Sequence, residues 1–301
     1  MYNRTMNRLS TEERAKVIGC LVEGMSIRAT VRVTGAAKNT VTKLLVDLGK
    51  ACSEYQDRTL RDLPCKRLQF DEIWSFCYAK AKNVPEEHEG EFGYGDIWTW
   101  VALDADTKLV PSWFVGSRNT EDATIFVNDV ASRVKGHVQL TTDGHAPYLE
   151  AVDYAFGPEI DYAVLQKIYG SDPQGQKRYS PATCLGTEMK VIKGNPDPAH
   201  ISTSYVERQN LTMRMQMRRF TRLTNGFSKK VENHAHAVAL HYMHYNYCRI
   251  HQSLRVTPAM EARLTDRVWS VEDLVALIPK PIVRPTQIDN QLFRKALGEC
   301  A

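Results

Sequence analysis

The sequence has no pair of cysteines in a CxxC arrangement, and this absence argues against a zinc ribbon. The chain carries 7 cysteines in 301 residues, an odd number spread from Cys20 to Cys300. Zinc ribbons and disulfide frameworks need paired cysteines at short, regular spacings. We therefore expect free thiols buried in a protein core.

Long hydrophobic runs are also missing. A transmembrane helix needs about 20 predominantly apolar residues, whereas charged residues interrupt every apolar stretch of this chain. The first segment, MYNRTMNRLSTEERAK, lacks the apolar region of a secretory signal. The composition is that of a globular protein, 43% hydrophobic and 25% charged. We expect an intracellular protein with one large and one small domain.

The charge is unevenly distributed along the chain. Residues 1–67 hold 13 Lys/Arg and 7 Asp/Glu, residues 68–200 hold 11 and 20, and residues 201–301 hold 15 and 8. Two basic ends therefore flank an acidic middle. Basic ends suit a polyanion such as DNA. An acidic centre repels DNA unless metal ions cover some of its carboxylates.

The first 50 residues predict three short helices. A capping box at residues 10–13 begins the first helix, and the second covers residues 27–33. After a tight turn at residues 34–36, the third helix runs from residue 37 to about residue 50. This layout is that of a helix-turn-helix, whose last helix enters the major groove of DNA. A plain three-helix packing unit is the alternative.

The third helix has polar residues on its outer, N-terminal side. Side chains of these types reach phosphates and base edges in helix-turn-helix proteins. The residues expected to contact DNA here are Lys38, Asn39, Thr40, Thr42 and Lys43.

From residue 68 the hydrophobic pattern takes the period of strands. It predicts three antiparallel strands, then a helix, a strand, a helix and a strand. These elements cover residues 68–78, 96–103, 109–115, 120–134, 138–142, 147–156 and 162–168. The order indicates an α/β fold with a ribonuclease H-like core, a mixed sheet flanked by helices, rather than a doubly wound sheet. Residues 170–200 read mainly as loop, with a short strand near residues 188–192.

These patterns divide the chain into four parts. Residues 1–50 are predicted to be a small all-α helix-turn-helix domain, and residues 51–67 a linker. Residues 68–262 form the ribonuclease H-like core, and residues 263–301 a C-terminal helix and arm.

Three acidic residues are candidates for metal-assisted phosphoryl transfer, which needs carboxylates from separate elements. Asp71 lies in the middle of the apolar strand LQFDEIWSF, where an unpaired buried carboxylate costs on the order of a few kcal/mol. Asp143 directly follows the strand predicted over residues 138–142, and Glu207 lies at the start of a later helix. Taken singly, each acid has an alternative explanation without a functional role. Asp71 could lie on an exposed strand face, Asp143 could belong to a common Asp-Gly turn, and Glu207 could be a surface residue of a charged helix. Glu72 is the alternative to Asp71, on the opposite strand face.

Basic and histidine-rich segments follow Glu207. The basic residues favour phosphate contact, with a solvated helix face as the alternative. They are Arg208, Arg214, Arg218, Arg219, Arg222, Lys229 and Lys230. Residues 234–251 contain five histidines interleaved with tyrosines, a pattern that favours packing and backbone contacts over a zinc site.

The motifs around the three acids resemble a known family. Asp71 in FDEIWSF, Asp143 in TTDGHAPY and Glu207 in SYVERQNLTMRMQMRRF look like the acidic motifs of DDE-class insertion-sequence transposases. The chain is most similar to the family named after insertion sequence 1. The later segment YNYCRIHQSLRVTPA resembles the tail of integrase-core proteins, so the resemblance covers about residues 65–262.

This resemblance implies a ribonuclease H-like core in which Asp71, Asp143 and Glu207 hold two Mg²⁺ ions, for which Mn²⁺ substitutes. It implies an enzyme that binds the terminal inverted repeats of a mobile element, hydrolyses the phosphodiester at its ends and joins the 3′-hydroxyls to target DNA. Asn210 and Arg214 would contact DNA, and Arg218, Arg219 and Arg222 extend this set. The expected partners are DNA and further copies of the chain, a homodimer or higher oligomer in a synaptic complex, in the prokaryotic cytoplasm at the nucleoid.

One departure from the family pattern and two alternative functions stay open. Many relatives carry a cysteine zinc motif ahead of the helix-turn-helix, and this chain has none. A catalytically inactive, transposase-derived DNA-binding regulator would have the same N-terminal helices, and a ribonuclease H-like nuclease would cleave without joining. The intact set of three acids favours an active enzyme over the regulator.

Overall fold

One mixed sheet organises the computed structural model, which describes residues 9–170, 184–221 and 225–279. In the described residues the strand order is β3-β2-β1-β4-β5-β6. The strands are β1 Arg67–Cys77, β2 Gly95–Asp104, β3 Ser112–Gly116, β4 Val138–Thr142, β5 Ile160–Tyr169 and β6 Cys184–Lys193. Strands β1, β2 and β3 pair antiparallel, β4 pairs parallel with both β1 and β5, and β6 pairs antiparallel with β5.

Helices cover both faces of this sheet. They are α1 Thr11–Val22, α2 Ile27–Thr34, α3 Lys38–Thr59, α4 Thr120–Arg133, α5 Pro147–Phe156, α6 Ser204–Gln216, α7 Val231–Tyr247, α8 Pro258–Glu261 and α9 Val271–Ala276. The expected mixed sheet flanked by helices is confirmed, and the architecture is consistent with a ribonuclease H-like core. Among the described residues, no helix combines the length and apolar character of a membrane span.

The two faces of the sheet are packed by different helices. Phe70 of β1 contacts Phe126 of α4 and Tyr148 of α5, with ring centroids 5.2 and 5.8 Å apart. On the opposite face, Trp113 of β3 stacks on Tyr242 of α7 at 6.2 Å. Because successive side chains of a strand alternate between faces, neighbouring residues of β1 meet different helices.

The strand predictions fail in two places. Strand β3 begins at Ser112 instead of residue 109, and β6 spans ten residues where mainly loop was expected. Strand β6 is exposed along nearly its whole length. A strand that buries neither face shows little alternation of apolar and polar residues, so pairing with β5 defines it rather than its own sequence. Residues 171–183 lie outside the described part of the chain.

The N-terminal helices begin as the sequence predicts. Ser10 and Glu13 form the capping box of α1, and Gly35 ends α2 in the left-handed conformation at φ 73°. The predicted end of the third helix near residue 50 is wrong, because α3 continues to Thr59. The residues assigned to a linker over 51–67 therefore begin as helix.

The second half of α3 belongs to the core. Ala51 and Cys52 are buried, and Gln56 Nε2 donates a hydrogen bond to the carbonyl of Ala239 in α7 at 3.3 Å. The boundary predicted at residue 50 thus falls inside one helix that joins the N-terminal unit to the core. The C-terminal helix is present as α9, whereas the arm from residue 280 onward lies outside the described residues.

The expectation of buried free thiols holds for half of the described cysteines. All six are free; Cys52, Cys65 and Cys77 are buried, while Cys184 is exposed.

The close approach of α3 and α7 depends on Gly49. A Cβ at this position would lie 2.5 Å from both the Cβ and the carbonyl oxygen of His236. We expect Gly49→Ala to lower the free energy of unfolding by about 1–3 kcal/mol, since overpacking outweighs the gain in helix propensity. Chemical denaturation measures the change.

Gly19 of α1 provides the matched control, because nothing lies within 4 Å of an added Cβ there. Gly19→Ala should leave stability unchanged or raise it by up to about 1 kcal/mol. Equal effects of the two substitutions would contradict the tight α3–α7 contact.

Candidate metal centre

Asp71 and Asp143 meet because β1 and β4 run parallel side by side. The register pairs Leu68 with Leu140 and Gln69 with Thr141. Continuing it by two residues brings Asp71 of β1 beside Asp143, which directly follows the carboxyl end of β4. The carboxyl ends of neighbouring parallel strands are where ligand sites form in α/β sheets.

The turn after β4 fixes the second carboxylate. Asp143 Oδ1 accepts a hydrogen bond from the backbone N–H of His145 at 3.0 Å. Between them, Gly144 has φ 90°, and a Cβ there would lie 2.9 Å from Val164 Cγ1. A glycine is required for this conformation, so the Asp-Gly pair positions Asp143 at the strand end.

Helix α6 is docked onto β1 by two amide side chains. Gln69 Oε1 accepts hydrogen bonds from the backbone N–H groups of Tyr205 and Val206, at 3.0 and 3.1 Å. Two residues along the same strand face, Asp71 Oδ2 accepts a hydrogen bond from Asn210 Nδ2 at 2.8 Å. The helix therefore stands over the strand face that carries Asp71.

Glu207 lies one turn before Asn210 on α6 and so faces the same region. Its carboxylate forms an ion pair with Lys167 of β5 and accepts a hydrogen bond from Thr203 Oγ1 at 2.6 Å. The structure thus places Glu207 on the helix over the sheet, held by a lysine rather than in direct contact with the two aspartates.

Glu72 is the acid that joins the aspartates most closely. Carboxylate oxygens of Asp71, Glu72 and Asp143 all lie within 4.8 Å of one another, the spacing of a metal-binding group. Glu72 is buried on the other face of β1, where its Oε2 accepts a hydrogen bond from Arg118 Nε at 3.0 Å. From the sequence, Glu72 was expected only as the alternative to Asp71; the structure brings both to the site.

The proximity of these acids changes their protonation. Burial, together with the charges of Glu72 and Asp143, raises the pKa of Asp71 to about 7, against the opposing hydrogen bond from Asn210. Burial also raises the pKa of Glu72. The ionised forms of Asp71 and Glu72 are therefore disfavoured unless a cation binds beside them.

The donor set suits a hard cation. Carboxylate oxygens are the preferred ligands of Mg²⁺ and Mn²⁺. The amide oxygen of Asn210 is buried beside Asp71 and has no hydrogen-bond partner among the described residues, so it adds a further oxygen donor. These residues fit a divalent ion of the kind that the sequence predicts.

The residues predicted to contact DNA from α3 lie on an exposed helix start. Lys38, Asn39, Thr40 and Lys43 are exposed and Thr42 is half-buried. The N-cap residue Ala37 provides no side-chain hydrogen bond, so the first backbone N–H groups of α3 remain available. This end of the helix suits an anion.

The arginines after Glu207 that were predicted to contact DNA differ in their exposure to solvent. Arg218 is exposed, whereas Arg219 turns inward and donates to Ser228 Oγ at 2.7 Å. Arg214 is half-buried in the last turn of α6. Asn210 is buried against Asp71, so its described contact is with the metal centre rather than with the surface. Arg222 lies outside the described residues.

The histidines pack rather than cluster. His234 is buried between the hydroxyls of Ser75 and Ser228, and His241 is buried against Gln209. Burial lowers the pKa of both imidazoles to about 3, so they are neutral core groups. Among the described residues, the group with metal-ligand spacing consists of Asp71, Glu72 and Asp143 and contains no histidine.

Sequence reasoning missed Lys167 and Arg118, the two cations that pair with Glu207 and Glu72. Neither lies in a motif, and their partners are distant in the chain. Only the strand pairing of β5 and the loop before α4 bring them to the acids.

Comparisons with known proteins give little further information. No protein-family profile and no curated protein sequence match the chain. One similar solved structure is the cryo-EM structure of a piggyBac transposase synaptic complex with hairpin DNA. Its sequence identity is 12% and its TM-score 0.39, over 99% of this chain and 75% of that chain. We therefore base the functional proposal on the side chains of the site.

The raised pKa of Asp71 makes metal binding depend on pH. Below pH 7 the folded chain holds a proton on Asp71 that an unfolded aspartate releases near pH 4, and a metal ion must displace it. The proton on Asp71 therefore stabilises the metal-free fold fully below about pH 4; this contribution declines as the pH rises and is lost above about pH 7. We expect the affinity for Mn²⁺, measured by calorimetry, to fall about tenfold per pH unit below pH 7.

Asp71→Asn is the control for this pH dependence. The amide holds no titratable proton, so the variant should bind Mn²⁺ weakly at every pH between 6 and 8. A wild-type affinity that is the same at pH 6 and pH 8 would contradict the protonated state of Asp71.

Proposed function

We propose that this chain is a DDE-class transposase, most similar to the insertion sequence 1 family, with Asp71, Asp143 and Glu207 as its catalytic acids. The observation that carries the proposal is the convergence at β1. Asp71 and Asp143 meet on adjacent parallel strands, and α6 sets Glu207 one turn from Asn210, which binds Asp71. This arrangement suits two-metal phosphoryl transfer.

Asp71, Asp143 and Glu207 would hold two Mg²⁺ ions, for which Mn²⁺ substitutes. When bound, the ions supply activation of the attacking oxygen and stabilisation of the leaving oxygen in an in-line displacement. Asp71 lies beside Asp143 through the pairing of β1 with β4 and is linked through Asn210 to α6, which carries Glu207, so these three carboxylates would hold the ions.

The remaining side chains of the site orient these acids. Asn210 fixes the carboxylate of Asp71, and Thr203 fixes that of Glu207. Lys167 offsets the charge of Glu207. Gln69 keeps α6 on β1, so the third acid stays beside the first two.

The reaction proposed is hydrolysis at the ends of a mobile element, followed by attack of the freed 3′-hydroxyls on target DNA. The exposed start of α3 supports recognition of the terminal inverted repeats by a helix-turn-helix. Arg218 supports contact with the phosphate backbone. Copies of the chain would assemble on the two element ends as a homodimer or higher oligomer.

The catalytic acids are tested by substitution. We expect Asp71→Asn, Asp143→Asn and Glu207→Gln each to lower Mg²⁺-dependent cleavage of element-end DNA by on the order of 10²–10³-fold or more. Each carboxylate supplies charge that positions a metal ion for the transition state. Cleavage and strand transfer on labelled DNA flanking this gene measure the effect.

Glu150→Gln is the matched control, because Glu150 is exposed on α5 and its substitution removes the same charge as Glu207→Gln. It should cleave at the wild-type rate. Wild-type rates in Asp71→Asn and Glu207→Gln would sink the assignment. Cleavage by the wild type without joining would favour the nuclease, and binding without cleavage would favour the inactive regulator.

The DNA contact of α3 is tested by two lysines of that helix. Lys43 lies near the helix start and Lys50 two turns later, and each forms an exposed ion pair with an acid four residues on. We expect Lys43→Ala to weaken end binding and to reduce the salt dependence of the affinity by about one unit of slope. Lys50→Ala should leave both unchanged.

Fluorescence anisotropy over a salt series measures these effects on the full-length chain. The point substitutions avoid cutting α3, whose second half is buried against α7. Equal effects of the two lysines would contradict a groove contact made by the helix start.

A further inference from the structure

Arg118, in the turn before α4, is held in place at the edge of the metal centre. Its Nε donates to Glu72 Oε2 at 3.0 Å, and its Cζ lies 4.8 Å from the ring centroid of Trp98. The salt bridge fixes one edge of the guanidinium and the ring fixes its plane. The side chain is 37% exposed, whereas that of Glu72 is 1% exposed.

The other edge of this guanidinium is open. Among the described residues, its terminal nitrogens make no hydrogen bond. Its partner Glu72 has a carboxylate oxygen within 4.8 Å of carboxylate oxygens of Asp71 and Asp143. The open edge thus belongs to the surface beside the carboxylates.

Glu72 has a different environment from the two aspartates. It lies on the opposite face of β1 from Asp71, beside the buried hydroxyl of Tyr148, and its Oε2 is engaged by Arg118. A buried carboxylate paired with a partly exposed arginine orients that arginine. Only Oε2 of Glu72 is engaged in this way, whereas Oε1 has no hydrogen-bond partner among the described residues.

We propose that Arg118 binds a phosphate of the DNA strand at the metal centre, and that Glu72 is a positioning residue for Arg118 rather than a metal ligand. This inference rests on the proposed function, since it assigns a substrate contact within the same site.

Electrostatics give the reason for such a contact. Four carboxylates, those of Asp71, Glu72, Asp143 and Glu207, repel a phosphodiester that approaches this edge of the sheet. A guanidinium with a free NH edge binds two phosphate oxygens at once, which an ammonium does not. Anchoring by Glu72 and Trp98 removes side-chain freedom before DNA arrives, so less entropy is lost on binding.

Two binding measurements on the full-length chain test the assignment without requiring turnover. Anisotropy with element-end duplex in Ca²⁺ reports DNA affinity over a salt series, and calorimetry with Mn²⁺ reports the metal centre. The variants are Arg118→Ala, Arg118→Lys, Glu72→Gln and the double variant Glu72→Gln/Arg118→Ala. The double variant leaves no unpaired buried charge, so it guards against misfolding of Arg118→Ala.

We expect Arg118→Ala and the double variant to weaken DNA binding by about three- to tenfold and to reduce the salt slope by about one. Arg118→Lys should restore the slope but not the full affinity. Arg61→Ala is the control, because Arg61 is also 37% exposed and ion-paired, at the end of α3. Unchanged affinity and slope in the Arg118 variants would overturn the phosphate contact.

The affinity for Mn²⁺ decides whether Glu72 is a positioning residue or a metal ligand. Glu72→Gln should bind Mn²⁺ within about threefold of the wild type, whereas Asp71→Asn should lose at least tenfold. A loss in Glu72→Gln equal to that in Asp71→Asn would make Glu72 a ligand and overturn the positioning role. Cleavage by the wild type reports on the proposed function separately.

Discussion

Repulsion among the carboxylates of Asp71, Glu72 and Asp143 is the constraint around which this protein is arranged, because their oxygens lie within 4.8 Å of one another. Glu207 is the fourth acid of the region, on α6, and three of the four acids have a side-chain partner. Arg118 pairs with Glu72, Lys167 pairs with Glu207 and the Asn210 amide binds Asp71. Among the described residues, Asp143 accepts a hydrogen bond only from the backbone of its own turn. Burial, together with the charges of Glu72 and Asp143, raises the pKa of Asp71, and a divalent cation would compensate this charge.

The same constraint explains why α6 is anchored so firmly. A helix that carries an acid toward two aspartates is repelled unless something holds it. Gln69 holds the helix by accepting hydrogen bonds from two backbone N–H groups at its start. Asn210 holds it one turn after Glu207 by donating a hydrogen bond to Asp71. Helix α7 then packs behind α6, and α3 packs on α7 through Gly49. The N-terminal helices are thereby coupled to the face of the sheet that carries Asp71 through ordinary core packing.

Much of this could be predicted from the sequence, because the elements near the acids have strong periodic patterns. β4 and α5 begin and end at the predicted residues, and Asp71 and Asp143 meet as their strand positions implied. The end of α3 was missed because residues 51–59 are polar on the side away from α7. Strand β6 was predicted too short, as residues 188–192 alone, because it is exposed along nearly its whole length. Lys167 and Arg118 were missed because a single cation in a strand or turn gives no pattern; only tertiary structure shows which acid it faces.

The central claim is that Asp71, Asp143 and Glu207 bind two metal ions. Anomalous diffraction from crystals of the chain grown with element-end DNA and Mn²⁺ tests it most directly. The account predicts two Mn²⁺ peaks about 3.5–4 Å apart, with Asp71 between them and Asp143 and Glu207 on either side. A single peak held by Asp71, Glu72 and Asp143, with Glu207 still paired to Lys167, would contradict it.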